Sequence, residues 1–71
     1  MRYAIVIERG ENSYGAYVPD LPGCVAAAES REEVVKLIGE AINQHIQLLR
    51  EEGLPIPEPR SAAEYAEVQG A

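Results

Sequence analysis

From Ser30 to Gly53 the chain carries one long amphipathic helix, and this segment limits every arrangement the remaining residues can adopt. Ser30-Arg31-Glu32-Glu33 is a capping box: the Ser30 hydroxyl accepts from the Glu33 amide while the Glu33 side chain reaches back to the Ser30 amide. Gly53 is a natural stop, because the residue after a helix commonly takes a left-handed conformation. Turning about 100° per residue from Val34 gathers Leu37, Leu48, Ala41, His45, Ile38, Leu49, Ile42, Val35 and Ile46 on one side. That arc covers roughly 180°, wider than the stripe of about 100° that faces a single core. Lys36, Glu40, Asn43, Gln44, Gln47, Arg50 and Glu51 fill the other side. The chain has 71 residues in all. What is left can make one small sheet, which is too narrow to cover the whole apolar half of the helix.

The remaining segments read as short strands. Tyr3 to Glu8 is rich in β-branched residues and ends at a turn, Arg9-Gly10-Glu11-Asn12-Ser13, where Gly10 and Asn12 tolerate positive φ. Tyr14 to Val18 follows as a second strand. Pro19-Asp20-Leu21-Pro22-Gly23 ends it, since proline cannot donate to a ladder. Cys24 to Ala28 is a third strand, short and small, although its alanines alone favour helix. After the helix, Leu54-Pro55-Ile56-Pro57-Glu58-Pro59 has proline at every second position and reads as a stiff, extended connector. Tyr65-Ala66-Glu67-Val68 is expected to form a last short strand beside the first. The expected architecture is therefore α+β, in the order β-β-β-α-β, with a small, mostly antiparallel sheet and one long helix on one face. It is a single domain: residues 1–29 a three-strand meander, 30–53 the helix, 54–61 the connector, 62–71 the last strand and tail.

A domain this small buries only about 60% of the surface of its unfolded chain and is marginally stable alone. Disulfides, a metal or a partner subunit usually supply the rest. One cysteine excludes an internal disulfide, and one cysteine with one histidine excludes a Cys/His zinc cage, which needs four ligands. A homo-oligomer, dimer or tetramer, is the expected remedy. His45, Ile46 and Leu48, on the over-wide apolar arc, are the candidate oligomer contacts. His45 stands alone there and reads as a core or interface imidazole, with neither a metal nor a base role. Cys24 reads as a small buried hydrophobe.

Charge narrows the partners. Six Lys and Arg against twelve Asp and Glu give a net charge of −6. Nucleic-acid affinity rests on cations neutralising phosphates, so direct DNA or RNA binding is not expected. A basic protein would be steered toward this chain. No segment approaches the roughly 20 apolar residues of a membrane span. The start, Met1-Arg2-Tyr3-Ala4-Ile5-Val6-Ile7-Glu8, is too short an apolar run for a signal peptide. Together with the lone cysteine, this predicts a cytoplasmic protein. No cofactor, metal or catalytic residue is expected. Two strand carboxylates, Glu8 and Glu67, do not make a two-metal nuclease site.

On the sheet, the polar Glu8 favours Val6 and Glu8 on the outer face with Ile5 and Ile7 toward the helix, and Tyr17 joins the outer face if Ala16 and Val18 point inward; the reverse facing would swap the two sets. An exposed tyrosine beside a valine suits a binding patch, because tyrosine offers large area at low entropy cost. Asp20 is the one charged group of the proline-rich turn. Val6, Glu8, Tyr17 and Asp20 are thus the candidate partner-binding residues.

The string Tyr17-Val18-Pro19-Asp20-Leu21-Pro22-Gly23-Cys24, the helix start at Ser30 and the exit Gly53-Leu54-Pro55-Ile56-Pro57 occur in an order that resembles the HicB-like antitoxin family. The resemblance is to the toxin-binding domain and runs from Met1 to about Val68. It implies a fold likened to a degraded ribonuclease H fold. It also implies a role as the antitoxin of a type II toxin-antitoxin pair, occluding a small basic HicA-type toxin that cleaves mRNA. Many members add a DNA-binding domain; this chain is expected to be a stand-alone member without one. Relatives commonly carry Thr and Gly where this chain has Ala26-Ala27-Ala28. Two other readings stay open at this point: an orphan interaction or structural domain, and a metal-dependent ribonuclease H-like nuclease.

Overall fold

A computed structural model describes residues 1–70. Three strands, β1 (Val6–Arg9), β2 (Tyr14–Tyr17) and β3 (Val25–Ala28), precede one helix, α1 (Arg31–Glu51). Both strand pairs are antiparallel, and the sheet order β1-β2-β3 follows the chain. The α+β class and the order of meander before helix are as expected.

The turns between strands follow from local chemistry. Residues 10–13 connect β1 to β2, with the Gly10 amide donating to the Ser13 carbonyl at 2.8 Å. Neither Gly10 nor Asn12 has positive φ, so this reversal does without the left-handed residues it was expected to use. Four-residue hairpin loops are most often built around a type I turn, which needs none. Two consecutive turns make the passage from β2 to β3. The Leu21 amide donates to the Val18 carbonyl at 3.0 Å, and the Cys24 amide to the Leu21 carbonyl at 3.1 Å. Pro19 and Pro22 each occupy the second position of a turn, where a fixed φ is wanted. Gly23, at the third position of the second turn, has φ +84°, the signature of type II. The Val18 amide closes the loop onto the Cys24 carbonyl at 3.2 Å.

Ser30, extended at φ −128°, caps α1 through its hydroxyl, which accepts from the Glu33 amide at 3.1 Å. At the other end the Gly53 amide donates to the Arg50 carbonyl and the Leu54 amide to the Leu49 carbonyl. With Gly53 at φ +68°, these two bonds form a Schellman motif and turn the chain sharply off the helix axis.

The helix packs on β2 and β3 more than on β1. Val34, Ile38 and Ile46 from α1 meet Ala16, Val18, Leu21 and Cys24 in the core. Leu21, at the junction of the two turns, is completely buried and plugs the end of the sheet. Tyr3, Ile5, Ile7, Ile42, Leu49 and Ile56 pack around this centre. The apolar arc of α1 is indeed too wide for the sheet: Val35, Leu37 and Leu48 stay exposed.

The last strand expected within 62–71 is not formed among the described residues; 54–68 carry no strand. Ser61, Ala62 and Ala63 line a cleft with Arg2 to Ile5, and Tyr65 lines another with Ile5 and Ile7. The tail thus runs alongside the free edge of β1 without joining its ladder. Its alanines and glutamates are poor strand formers, and with Tyr65 97% and Val68 72% exposed it buries too little to offset the ordering entropy.

Candidate interaction surface

One face of the sheet is covered by α1; the other is bare. Side chains alternate along a strand, so the burial of Ala16 and Val18 on the helix side puts Tyr17 on the bare face. The register pairs Val6 with Tyr17 and Tyr17 with Val25, which lines the three up across the sheet. The neighbouring row is Glu8, Gly15 and Ala27. Tyr17 is 39% and Val25 64% exposed, and Glu8 is exposed at the rim. Gly15 and Ala27 add little height, so the ring of Tyr17 stands over a low surface. Val6, Glu8 and Tyr17 therefore share one face, as the alternation predicts. Val25 belongs with them. Once Cys24 was read as buried, the period of two already put Val25 outward.

Asp20 lies elsewhere and is engaged within the chain. Its Oδ2 accepts from the amides of Arg60 and Ser61, both at 2.8 Å, and its Oδ1 from the Ser61 hydroxyl at 2.9 Å. The carboxylate clamps the far end of the connector to the proline turn. The Tyr3 hydroxyl, donating to the Pro57 carbonyl, holds the connector earlier along its length. The Ser61 and Arg60 amides hold the Asp20 carboxyl below the ordinary aspartate value of 3.8. A depressed carboxyl pKa stabilises the folded form above the unfolded value, and that contribution is lost as pH falls through the folded value. The clamp should therefore be complete at neutral pH and release only in strong acid, below 3.8. Asp20→Ala should speed amide hydrogen exchange at Arg60 and Ser61 at neutral pH and leave the helix protected. Equal exchange in both proteins would show that the clamp does not hold in solution.

The candidate oligomer residues separate. Ile46 is only 8% exposed and belongs to the core, so it is withdrawn from the contact set: the helix is rolled so that this side of its arc meets the body of the domain. Leu48 is 54% exposed on the opposite flank, and half-buried His45 lies beside it. Cys24 is buried, and desolvation pushes its thiol up, away from the reactive thiolate. Among the described residues no three His, Cys, Asp or Glu side chains gather as a metal centre. No helix is long and apolar enough to cross a membrane. Glu8 and Glu67 are not placed in register, because the strand that would carry Glu67 is not formed.

The profile of the HicB-like antitoxin of bacterial toxin-antitoxin systems matches residues 3–70. The chain belongs to the HicB-like antitoxin family. A solved structure, the HicA3 and HicB3 toxin-antitoxin complex, holds a chain similar to this one at 33% identity and a TM-score of 0.70, over 83% of this chain and 70% of that one. Among curated relatives, an uncharacterized 14.9 kDa protein of Haemophilus phage HP1 is 34% identical over 92% of this HicB-like chain. A UPF0150 protein of Archaeoglobus fulgidus is 41% identical over 68% of this chain and 71% of its own length. A third, UPF0150 protein Ta0767 of Thermoplasma acidophilum, is 34% identical over 80% of this chain and 84% of its own length. The HicB-like chain spans about half, 49%, of the phage relative.

Proposed function

We propose that this chain is the antitoxin of a toxin-antitoxin pair and neutralises a small, basic, HicA-type mRNA-cleaving toxin in the cytoplasm by covering its RNA-binding surface. The observation that carries the reading is the likeness, at 33% identity, to a chain solved in a HicA3 and HicB3 complex. The physics of the chain supports it. A ribonuclease that grips RNA needs cations where the phosphates lie, and a partner with net charge −6 is drawn to those cations from a distance. On contact, the row Val6-Tyr17-Val25 offers an apolar centre and Glu8 a charged rim. A desolvated aromatic centre with a polar surround is the usual layout of a protein interface. Occlusion asks no chemistry of this chain, so the proposal assigns it no enzymatic role.

The test is a pull-down with the tagged chain from its native host, followed by intact-mass analysis of what co-elutes. A stoichiometric basic partner of under roughly 100 residues, within single-domain size, is the expected result. The isolated partner should cleave RNA and stop when this chain is added. Recovery of no such partner, or a partner whose cleavage continues in the complex, would end the antitoxin reading.

A further inference from the structure

The helix packs chiefly on β2 and β3, so the helix side of β1 is left partly open. Alternation puts Ile5, Ile7 and Arg9 on that side, because Ile7 pairs with buried Ala16 and Arg9 with Tyr14. Together with Tyr14, Arg31 from the first turn of α1 and Tyr65 from the tail, they line a cleft of about 460 Å³. Small-molecule sites run from about 300 to 1,000 Å³. Half-buried Ile5 and Ile7 make an apolar floor. Tyr14 is half-buried beside Arg9, whereas Tyr65 is 97% exposed, so its ring has almost nothing against it and is free to close on an occupant.

The charge of this cleft runs against that of the chain. The whole sequence has six cationic side chains against twelve acidic ones, yet two arginines and no carboxylate line the cleft. Each guanidinium offers a planar fork of N–H donors that matches a phosphate, so the pair calls for an oxyanion. The two phenol rings call for a flat body attached to it, since aromatic rings pack offset or edge-on. The acids outside the cleft limit the occupant's size. Glu29, Glu32 and Glu33 lie close to Arg31 in sequence, Glu64 and Glu67 flank Tyr65, and Glu8 points to the bare face. A polyanion leaving the cleft would run into these carboxylates. A single phosphate touches both of its counter-charges, while repulsion from beyond the cleft is screened over about 8 Å at physiological salt.

The geometry points to a binding site for a nucleoside monophosphate. Arg9 and Arg31 hold the phosphate, and the base lies on the Ile5-Ile7 floor between the rings of Tyr14 and Tyr65. The site is on the helix side of β1, and the row Val6-Tyr17-Val25 is on the opposite face of the sheet. A nucleotide and a protein partner can therefore occupy the chain together, and the site stands or falls independently of the antitoxin reading.

Nuclear magnetic resonance titration of the whole, isotope-labelled chain with adenosine monophosphate tests this. Saturable amide shifts are expected in β1, at Tyr14, at the start of α1 and around Tyr65, with a Kd of about 1 mM or tighter. Arg9→Gln and Arg31→Gln, both at exposed positions, should each weaken binding about tenfold with circular dichroism unchanged. Tyr65→Ala should weaken the nucleotide about fivefold or more and leave inorganic phosphate unaffected, because only the base stacks on the ring. Four results would overturn the inference: no saturable shift at about 10 mM nucleotide; unchanged binding in a folded variant carrying both arginine substitutions; inorganic phosphate binding as tightly as the nucleotide, which would leave the tyrosines without a part; or a short single-stranded RNA binding more tightly than the monophosphate, which would assign the cleft to a polymer.

Discussion

Ile38→Asp yields a chain that does not fold. Ile38 has no exposed surface and stands at the centre of the helix-sheet contact, with Val34, Ile46, Ala16, Val18, Leu21 and Cys24 making up the rest of the buried core. No cation and no unused polar group lies in that set, so a carboxylate there would be both desolvated and unpaired. Such changes fall in the rare class that costs more than about 4 kcal/mol. At roughly 0.05–0.15 kcal/mol per residue, a domain of this length has about 4–11 kcal/mol in total, and one this small sits toward the lower end. Circular dichroism should lose its helical signal at room temperature. Leu37→Asp, one position earlier and 37% exposed, is the matched control and should stay helical. A soluble, fully helical Ile38→Asp protein would mean that the helix presents a different face to the sheet.

The second large effect concerns binding. Tyr17→Glu and Val6→Lys should each weaken the proposed complex with a basic toxin by about 30-fold or more, the loss expected of a hot-spot residue. The two carry opposite charges for a reason. A basic partner is attracted by an added glutamate and repelled by an added lysine, so a purely electrostatic interface would respond to them in opposite directions. If the Val6-Tyr17-Val25 row is an apolar centre, both must weaken binding, because both put a charge where water has to leave. Affinities by calorimetry, beside unchanged thermal unfolding of the free variants, make the measurement. Unchanged affinity in both would remove this face from the interface. A tighter Tyr17→Glu complex would show that charge, not burial, governs it.

The parts of the fold legible in the sequence are those whose cause is local. The helix announced itself through its period and through Ser30 and Gly53, each acting within a few residues. The outward placement of Val6, Glu8 and Tyr17 followed from a period of two and one correct choice of face. Errors arose where the cause lies far along the chain. Tyr65 to Val68 has a plausible strand pattern, but a strand exists only when a neighbour accepts it, and the adjoining alanines and glutamates do not compel pairing. Asp20 was read only as the hand of its turn should a partner meet it; its bonds to amides 40 and 41 positions away were missed, since no local pattern predicts them. Ile46 was placed on the outside because periodicity gives the width of an apolar arc, not where the sheet sits beneath it. Leu21 was not singled out as the most buried residue of the turn, since its burial depends on how two tight turns fold back under the helix.

The strictly sequential topology, each strand paired with its neighbour in the chain and the helix laid on immediately afterwards, has a kinetic consequence. Within the sheet no strand waits for a distant one, so the loops that join the three strands are short and little entropy is lost in pairing them. Chains with such local wiring reach the native state quickly. Every residue of the core, and every apolar residue packed against it, lies at or before Ile56, so the segment after it adds no core of its own. The bare face with Val6, Tyr17 and Val25 is in place as soon as that core has formed.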